Sequence, residues 1–313
     1  MYPVAPGHPD YTAAGDSKFI PEIWVGKLLE KLYLATVFGE ISNTDYTGQI
    51  KNFGDTVIVR TTPDITINDY VIGQNLTYQR PESLAIEMKI DQGKYFAFTC
   101  DDVVAKQADI KLMNDWSDDG GRKMAIAIDA NILAYAYPLS EAVYNIGNAA
   151  GKESGDILLG ASGAPVQLTK GNILEVIVDC GLVLDEREVP ETGRWMVLPK
   201  WAIAMLSKSD LKDASMTGEE SVLPNGRIGR IARFTIYGSS NLTTVAAAVE
   251  ATGVKCWQAM FGHPMAISFA SQLTKMETLR AESTFGDLVR SLNIFGRKVF
   301  HPEALGTLYC YKG

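Results

Sequence analysis

Two rhythms of hydrophobic positions alternate along this chain. One has period two. In "SLAIEMKI" (residues 83–90), Leu84, Ile86, Met88 and Ile90 alternate with Ala85, Glu87 and Lys89, which predicts a strand with one covered and one wet face. "FGDTVIVRTTPDITINDY" (53–70) reads as a strand, a Thr/Pro-rich break and a second short strand, with polar tips. "DQG", before "KYFAF", places Gly93 where a hairpin turn needs positive φ, so the strands on either side are expected to pair.

The other rhythm is helical. In "IPEIWVGKLLEKLYLATVF", Pro21 and Glu22 open a first turn, and Trp24, Leu28 and Leu32 repeat every four residues. From Asp101, Val104, Ala108, Leu112 and Trp116 step by four, and after "SDDGG" Met124, Ile128 and Ile132 resume the step. This predicts one long helix, or two halves, with a weak point at Gly120 and Gly121, since each Gly costs about 1 kcal/mol against Ala in a helix interior. "GNILEVIVDCGLVLDE" reads as a helix with Ile173/Leu174, Ile177/Val178 and Gly181/Leu182 on its buried face. "RWMVL" is a short buried strand, and "PKWAIAMLSK" a helix opened by Pro199. "GRIGRIARFTIYGSSNL", "PMAISFASQ" and "METLRAES" read as strands, "STFGDLVRSL" as a short helix capped by Ser283, and "NIFGRKVFHPEALGTLYCY" as closing strands. Residues 1–19 form an extended arm, 146–168 a Gly/Ala/Ser-rich loop and 209–226 a polar surface loop. Helices and strands interleave without βαβ regularity or repeats, which gives an α+β class.

Composition narrows the choice of function. The 313 residues are 46% hydrophobic and 21% charged, enough for a sizeable core. A formal net charge of -8 argues against a protein whose main task is gripping nucleic acid, although an enclosure whose inner wall faces DNA stays open. No signal peptide opens the sequence, and no apolar run is long enough to span a membrane. Cys100, Cys180, Cys256 and Cys310 are widely spaced, with no C-x-x-C pair, so they read as buried free thiols rather than zinc ligands.

The candidate chemistry is thin. His8, His263 and His301 show no metal-binding spacing, and the last two precede Pro in loops. Asp101 and Asp102 stand where a helix cap belongs, and Asp118 and Asp119 read as a solvated face. Glu219 and Glu220 are sequence neighbours that point different ways on a helix. "NGRIGR" lacks both phosphate-loop patterns and leads into a strand. No catalytic, metal or cofactor site is expected.

The order of the parts says more. An arm, a helix opening "FIPEIWVGKLLEKL", a strand excursion containing "GDTVIVR…DY" and a long helix opening "DDVVAKQADI" resemble the major capsid proteins of tailed bacteriophages, the Hong Kong 97 fold. "NILEVIVDCGLVLDEREVPETGRWMVL", "GRIGRIARFTIYGSSNL" and "FGDLVRSLNIFGRKVFHPEAL" look like later segments of the same family. The resemblance covers most of residues 19–310 and rests on pattern and order, with no catalytic motif.

It implies an N-terminal arm and first helix (1–42), an extended β-loop (43–99), a peripheral domain with a long spine helix (100–164), an axial domain (165–262) and closing strands shared between the two domains (263–313). The loop is expected to reach over a neighbouring subunit, with Arg60, Tyr70, Arg80, Lys89 and Lys94 at the interface. Gly120 and Gly121 become a hinge candidate in the spine helix. The implied role is a virion shell of hexamers and pentamers that encloses double-stranded DNA, assembled in the bacterial host cytoplasm. The recognisable helix starts by residue 20, which implies a separate scaffolding protein; a portal and a decoration protein are further partners, and DNA is touched weakly on the inner face. Isopeptide crosslinking through Lys51, Lys89 or Lys94 belongs to only some members and is not carried over. An encapsulin-type compartment of the same fold and an α+β enzyme with an unrecognised site are the alternatives.

Overall fold

The computed structural model describes residues 36–45, 56–60, 63, 65–83, 85–102, 112–209, 227–246, 253–282 and 285–313. The arm, the helix around Trp24 to Leu32, Val104 and Ala108, the loop containing Glu219 and Glu220, His8 and Ser283 lie outside the described residues.

The long helix is α2, Leu112–Ala136, since α1 is a single turn, Phe38–Ile41. α2 runs unbroken through Gly120 and Gly121. The second half of its stripe is as the four-residue step predicts, with Ile128 and Ile132 buried and Met124 packed beside them, whereas Trp116 is 38% exposed. Beneath it lies a three-stranded antiparallel sheet of β3 (Gln92–Asp101), β10 (Ile267–Arg280) and β11 (Gly286–Val299), with β11 in the centre. Phe96 and Phe98 of β3 stack at 6.3 Å, and Trp116 of α2 meets Phe98 edge-on at 5.7 Å.

Two expectations fail in this sheet. "STFGDLVRSL" does not form a helix: from Gly286 onward it belongs to β11, hydrogen-bonded to a strand on each side. Its Leu288, Arg290 and Leu292 are exposed, whereas Val289 and Ser291 are buried, a period of two that competes with the four-residue step. Gly286 suits the centre strand, because a Cβ there would lie 2.8 Å from the Cys100 carbonyl oxygen. "PMAISFASQ" and "METLRAES" merge into one strand, β10, with an irregularity between Ser271 and Leu273.

The hairpin around "DQG" also fails. β2 (Ala85–Lys89) pairs with β1 (Thr56–Arg60), whereas β3 pairs with β11, and Gly93 is not among the residues with positive φ. The two apolar faces explain the split. Ile86, Met88 and Ile90 turn towards Ala270 and Phe300 with Val57 and Val59, while the aromatic face of β3 turns towards α2.

The largest sheet has seven strands. Its main path is β4 (Val166–Leu168), β12 (Leu305–Lys312), β9 (Cys256–Gly262), β5 (Trp195–Pro199), β7 (Phe234–Ser239) and β6 (Arg227–Ile231), and β8 (Thr244–Val245) pairs with β9. All of β5 is buried, as "RWMVL" predicts. "GRIGRIARFTIY" is not one strand but the hairpin β6–β7, turning at Ala232 and Arg233 with φ of 46° and 71°. α3 (Ile173–Asp185) and α4 (Lys200–Leu206) pack against this sheet. The buried face of α3 is rotated from the expected one. Ile173, Val176, Ile177, Cys180, Gly181, Val183 and Leu184 are covered, whereas Val178 and Leu182 face outward. One continuous core joins α2 to the seven-stranded sheet. Among the described residues no helix is long and apolar enough to cross a membrane.

Candidate functional site

The ribbon β1–β2 sets Thr56 opposite Lys89 and Arg60 opposite Ala85. Its base is anchored on the body through Met88, Ala270 and Phe300. Gly296 of β11 permits this approach, because a Cβ there would lie 2.7 Å from the Lys89 carbonyl oxygen. Beyond Arg60 the chain departs, and it returns at Ala85.

Between them, residues 65–83 are exposed throughout and form no strand, so the second short strand expected in "ITINDY" is absent. Gln79 clasps the opposite limb: its Oε1 accepts the Thr66 N–H at 3.0 Å and its Nε2 donates to the Thr66 carbonyl at 3.4 Å. At the tip the Gln74 N–H donates to the Val71 carbonyl at 3.0 Å, across a turn that Gly73 closes with φ of 89°. The expected polar tip is corrected. Ile67 and Ile72 are 94% exposed and Tyr78 91%, with Ile65, Val71 and Leu76 also in the open. These residues are interspersed with Thr, Asn and Asp in "ITINDYVIGQNLTY", and the adjacent Tyr70, Val71 and Ile72 were the signal in the sequence of an apolar tip.

The residues singled out from the sequence do not form one cluster. Arg60 lies at the outer end of the ribbon, Lys89 at its base, and Tyr70 and Arg80 on the loop, all exposed. Lys94 belongs to a different sheet, half-buried on β3 opposite Asn293. Gly120 and Gly121 differ from one another. A Cβ on Gly120 would meet the Phe96 ring at 2.9 Å, whereas Gly121 has open space around it.

The remaining polar groups serve the fold. Asp102 pairs with Arg280, whose guanidinium holds the carboxyl below its usual range, and Arg280 also reaches Asp287 at 3.3 Å. Asp119 pairs with Lys123 at 3.0 Å on the outer face of α2. The His263 ring bonds the Thr192 carbonyl at 3.0 Å and accepts the Met265 N–H, and burial lowers its pKa. His301 bonds Glu303 at 2.8 Å. All four cysteines are buried free thiols, and burial pushes Cys310 up to about 12. Among the described residues no group of His, Cys, Asp and Glu is arranged to hold a metal.

Solved structures carry the same fold. A chain from Mycobacterium phage Che8 superposes with a TM-score of 0.73 at 26% identity, over 93% of this chain and 97% of that one. A chain from the capsid of cyanophage P-SCSP1u gives 0.71 at 15% identity, over 100% and 99%. One from the mature capsid of bacteriophage PhiM1 gives 0.67 at 15% identity, over 97% and 96%. No family model and no curated protein matches the chain. Over nearly its whole length this chain shares its fold with chains from phage capsids.

Proposed function

We propose that this chain is the major subunit of a phage head, joining in hexamers and pentamers into an icosahedral shell around double-stranded DNA. The observation that carries this reading is the loop of residues 65–83, whose apolar side chains stand in the open on a strap whose base packs on the body. Full burial of an Ile or Leu side chain gains about 1.5–3 kcal/mol, and a two-stranded excursion is marginal in water without a surface to lie on. Copies of one chain supply that surface repeatedly around a closed shell. The capsid folds of the P-SCSP1u and PhiM1 chains support the same role.

On this reading residues 43–99 are the extended loop, 100–164 the peripheral domain with α2 as its spine, 165–262 the axial domain and 263–313 the closing strands. Arg60, Tyr70, Arg80, Lys89 and Lys94 contribute to contacts between copies, and Gly120 with Gly121 is where α2 bends if the shell changes shape. A scaffolding protein, a portal and a decoration protein complete the assembly, and the role is structural rather than enzymatic.

Expression of the full chain, followed by sedimentation and negative-stain microscopy, is expected to give shells or capsomers built of this chain. A chain that stays monomeric at high concentration, with and without co-expressed phage assembly proteins, overturns the reading. Shells that carry a co-purifying enzyme in place of a genome identify a cellular compartment instead.

A further inference from the structure

Asp129, on the inner face of α2, is fully buried. Its Oδ1 accepts the backbone N–H groups of Val37 and Phe38, each at 2.9 Å, and its Oδ2 accepts from Asn241 Nδ2 at 2.6 Å. Three elements therefore meet on one carboxylate: the segment entering α1, the long helix, and the turn after β7. The same segment is tied down further along, where Asn43 bridges to Ser268 of β10.

A buried carboxylate ordinarily has a cation beside it. Among the described residues no Lys, Arg or His pairs with Asp129. The elements packed around it carry Glu40 on α1, Tyr237 on β7, and Asp287, Arg290, Arg297 and Lys298 on β11. Glu40 and Tyr237 bond each other at 3.4 Å, and Arg297 donates to the Asn131 carbonyl and lies over the Tyr135 ring. Among the described residues the charge on Asp129 is therefore held by three neutral donors.

We infer that Asp129 is a proton-sensitive anchor that fastens the N-terminal segment, with its buried Val37 and Ile41, to the long helix. Protonation suits the geometry. Oδ1 keeps both backbone donors, and a proton on Oδ2 donates to Asn241 once that amide turns its oxygen inward. Burial raises the carboxyl above its usual range, offset in part by the bonds from Asn241, Val37 and Phe38. A carboxyl whose pKa is higher in the closed state than in the open one favours closure in acid, and loses that advantage as the pH rises through the closed-state value. The anchor is thus tight when neutral and loose when charged, independently of what the chain assembles into.

Hydrogen exchange of the full chain, read by mass spectrometry on peptides covering residues 36–41 and corrected for intrinsic rates, tests this. In the wild type, exchange is expected to be slower at about pH 4, near the ordinary carboxylate value, than at about pH 8. Asp129→Asn, neutral and of the same shape, should exchange slowly at both, whereas Asp129→Ala, which lacks both acceptors, should exchange fast at both. An Asn variant that exchanges as fast as the Ala variant, or a wild type without pH dependence, overturns the inference. If the Ala variant fails to fold, the wild type and the Asn variant still decide it.

Discussion

At the scale of single residues, the Gly pair of α2 is not a pair. In sequence Gly120 and Gly121 look interchangeable, and each Gly→Ala change in a helix gains about 1 kcal/mol from propensity alone. In the folded chain Gly121 is open, whereas a methyl on Gly120 would press on a Phe96 ring that is itself stacked on Phe98. Gly121→Ala is therefore expected to raise stability by up to about 1 kcal/mol. Gly120→Ala should gain nothing or lose, since the ring must move from its stack. Denaturant midpoints of the two single variants check this, and equal gains would show that the ring yields freely. Arg194 makes a similar point. Its side chain is buried, bonded to the carbonyls of Gly181, Val189 and Pro190 and to Asp185 at 2.7 Å. Nothing in "TGRWMVL" separates that Arg from a surface one, because its partners, three backbone carbonyls and the Asp185 carboxylate, converge on it only in the folded chain. Asp129 was hidden for the same reason.

At the scale of elements, what could be read depended on how local the cause was. The stripe of α2, the buried β5 and the alternating face of β2 each follow from side-chain rhythm within one segment, and each was legible. Partners were not. β2 and β3 lie next to each other in sequence but turn their apolar faces to different surfaces, so the hairpin did not form. The segment after Phe285 carried both periods, and hydrogen bonding to strands on two sides decided for β11. The β6–β7 turn was missed because its central residues are Ala232 and Arg233 in place of the Asn-Gly that positive φ at both positions favours. Arg233 is retained by bonds to Asp185 and Glu191, each at 3.0 Å, whereas the half-buried Ala232 makes only apolar contact with the core. A left-handed conformation costs an ordinary residue about 1–2 kcal/mol, and Asn tolerates it better. Ala232→Asn is expected to stabilise the chain by about 0.5–1 kcal/mol, read as a rise in melting temperature with assembly unchanged. A fall would mean that the turn's strain is relieved in some other way.

At the scale of the whole molecule, the decisive feature is a body that closes its own core and a loop that does not. Seven-stranded sheet, α2 and three-stranded sheet bury one another, while residues 65–83 bury almost nothing within their own chain. The two parts should therefore respond differently to the same deletion. Replacing Arg60 to Arg80 with a short Gly/Ser turn removes the exposed apolar tip and leaves most of the ribbon's base, where Met88 packs on Ala270 and Phe300. The monomer's circular dichroism and melting temperature should stay close to those of the intact chain, because none of the described residues it removes belongs to the core. Assembly should fail, with free subunits or capsomers in place of fast-sedimenting particles. A loss of even about 2 kcal/mol per contact weakens each contact roughly thirty-fold, and a closed shell repeats the contact at every subunit. Abundant closed shells from this variant would show that the loop fastens no neighbour, and its apolar tip would then need a different partner.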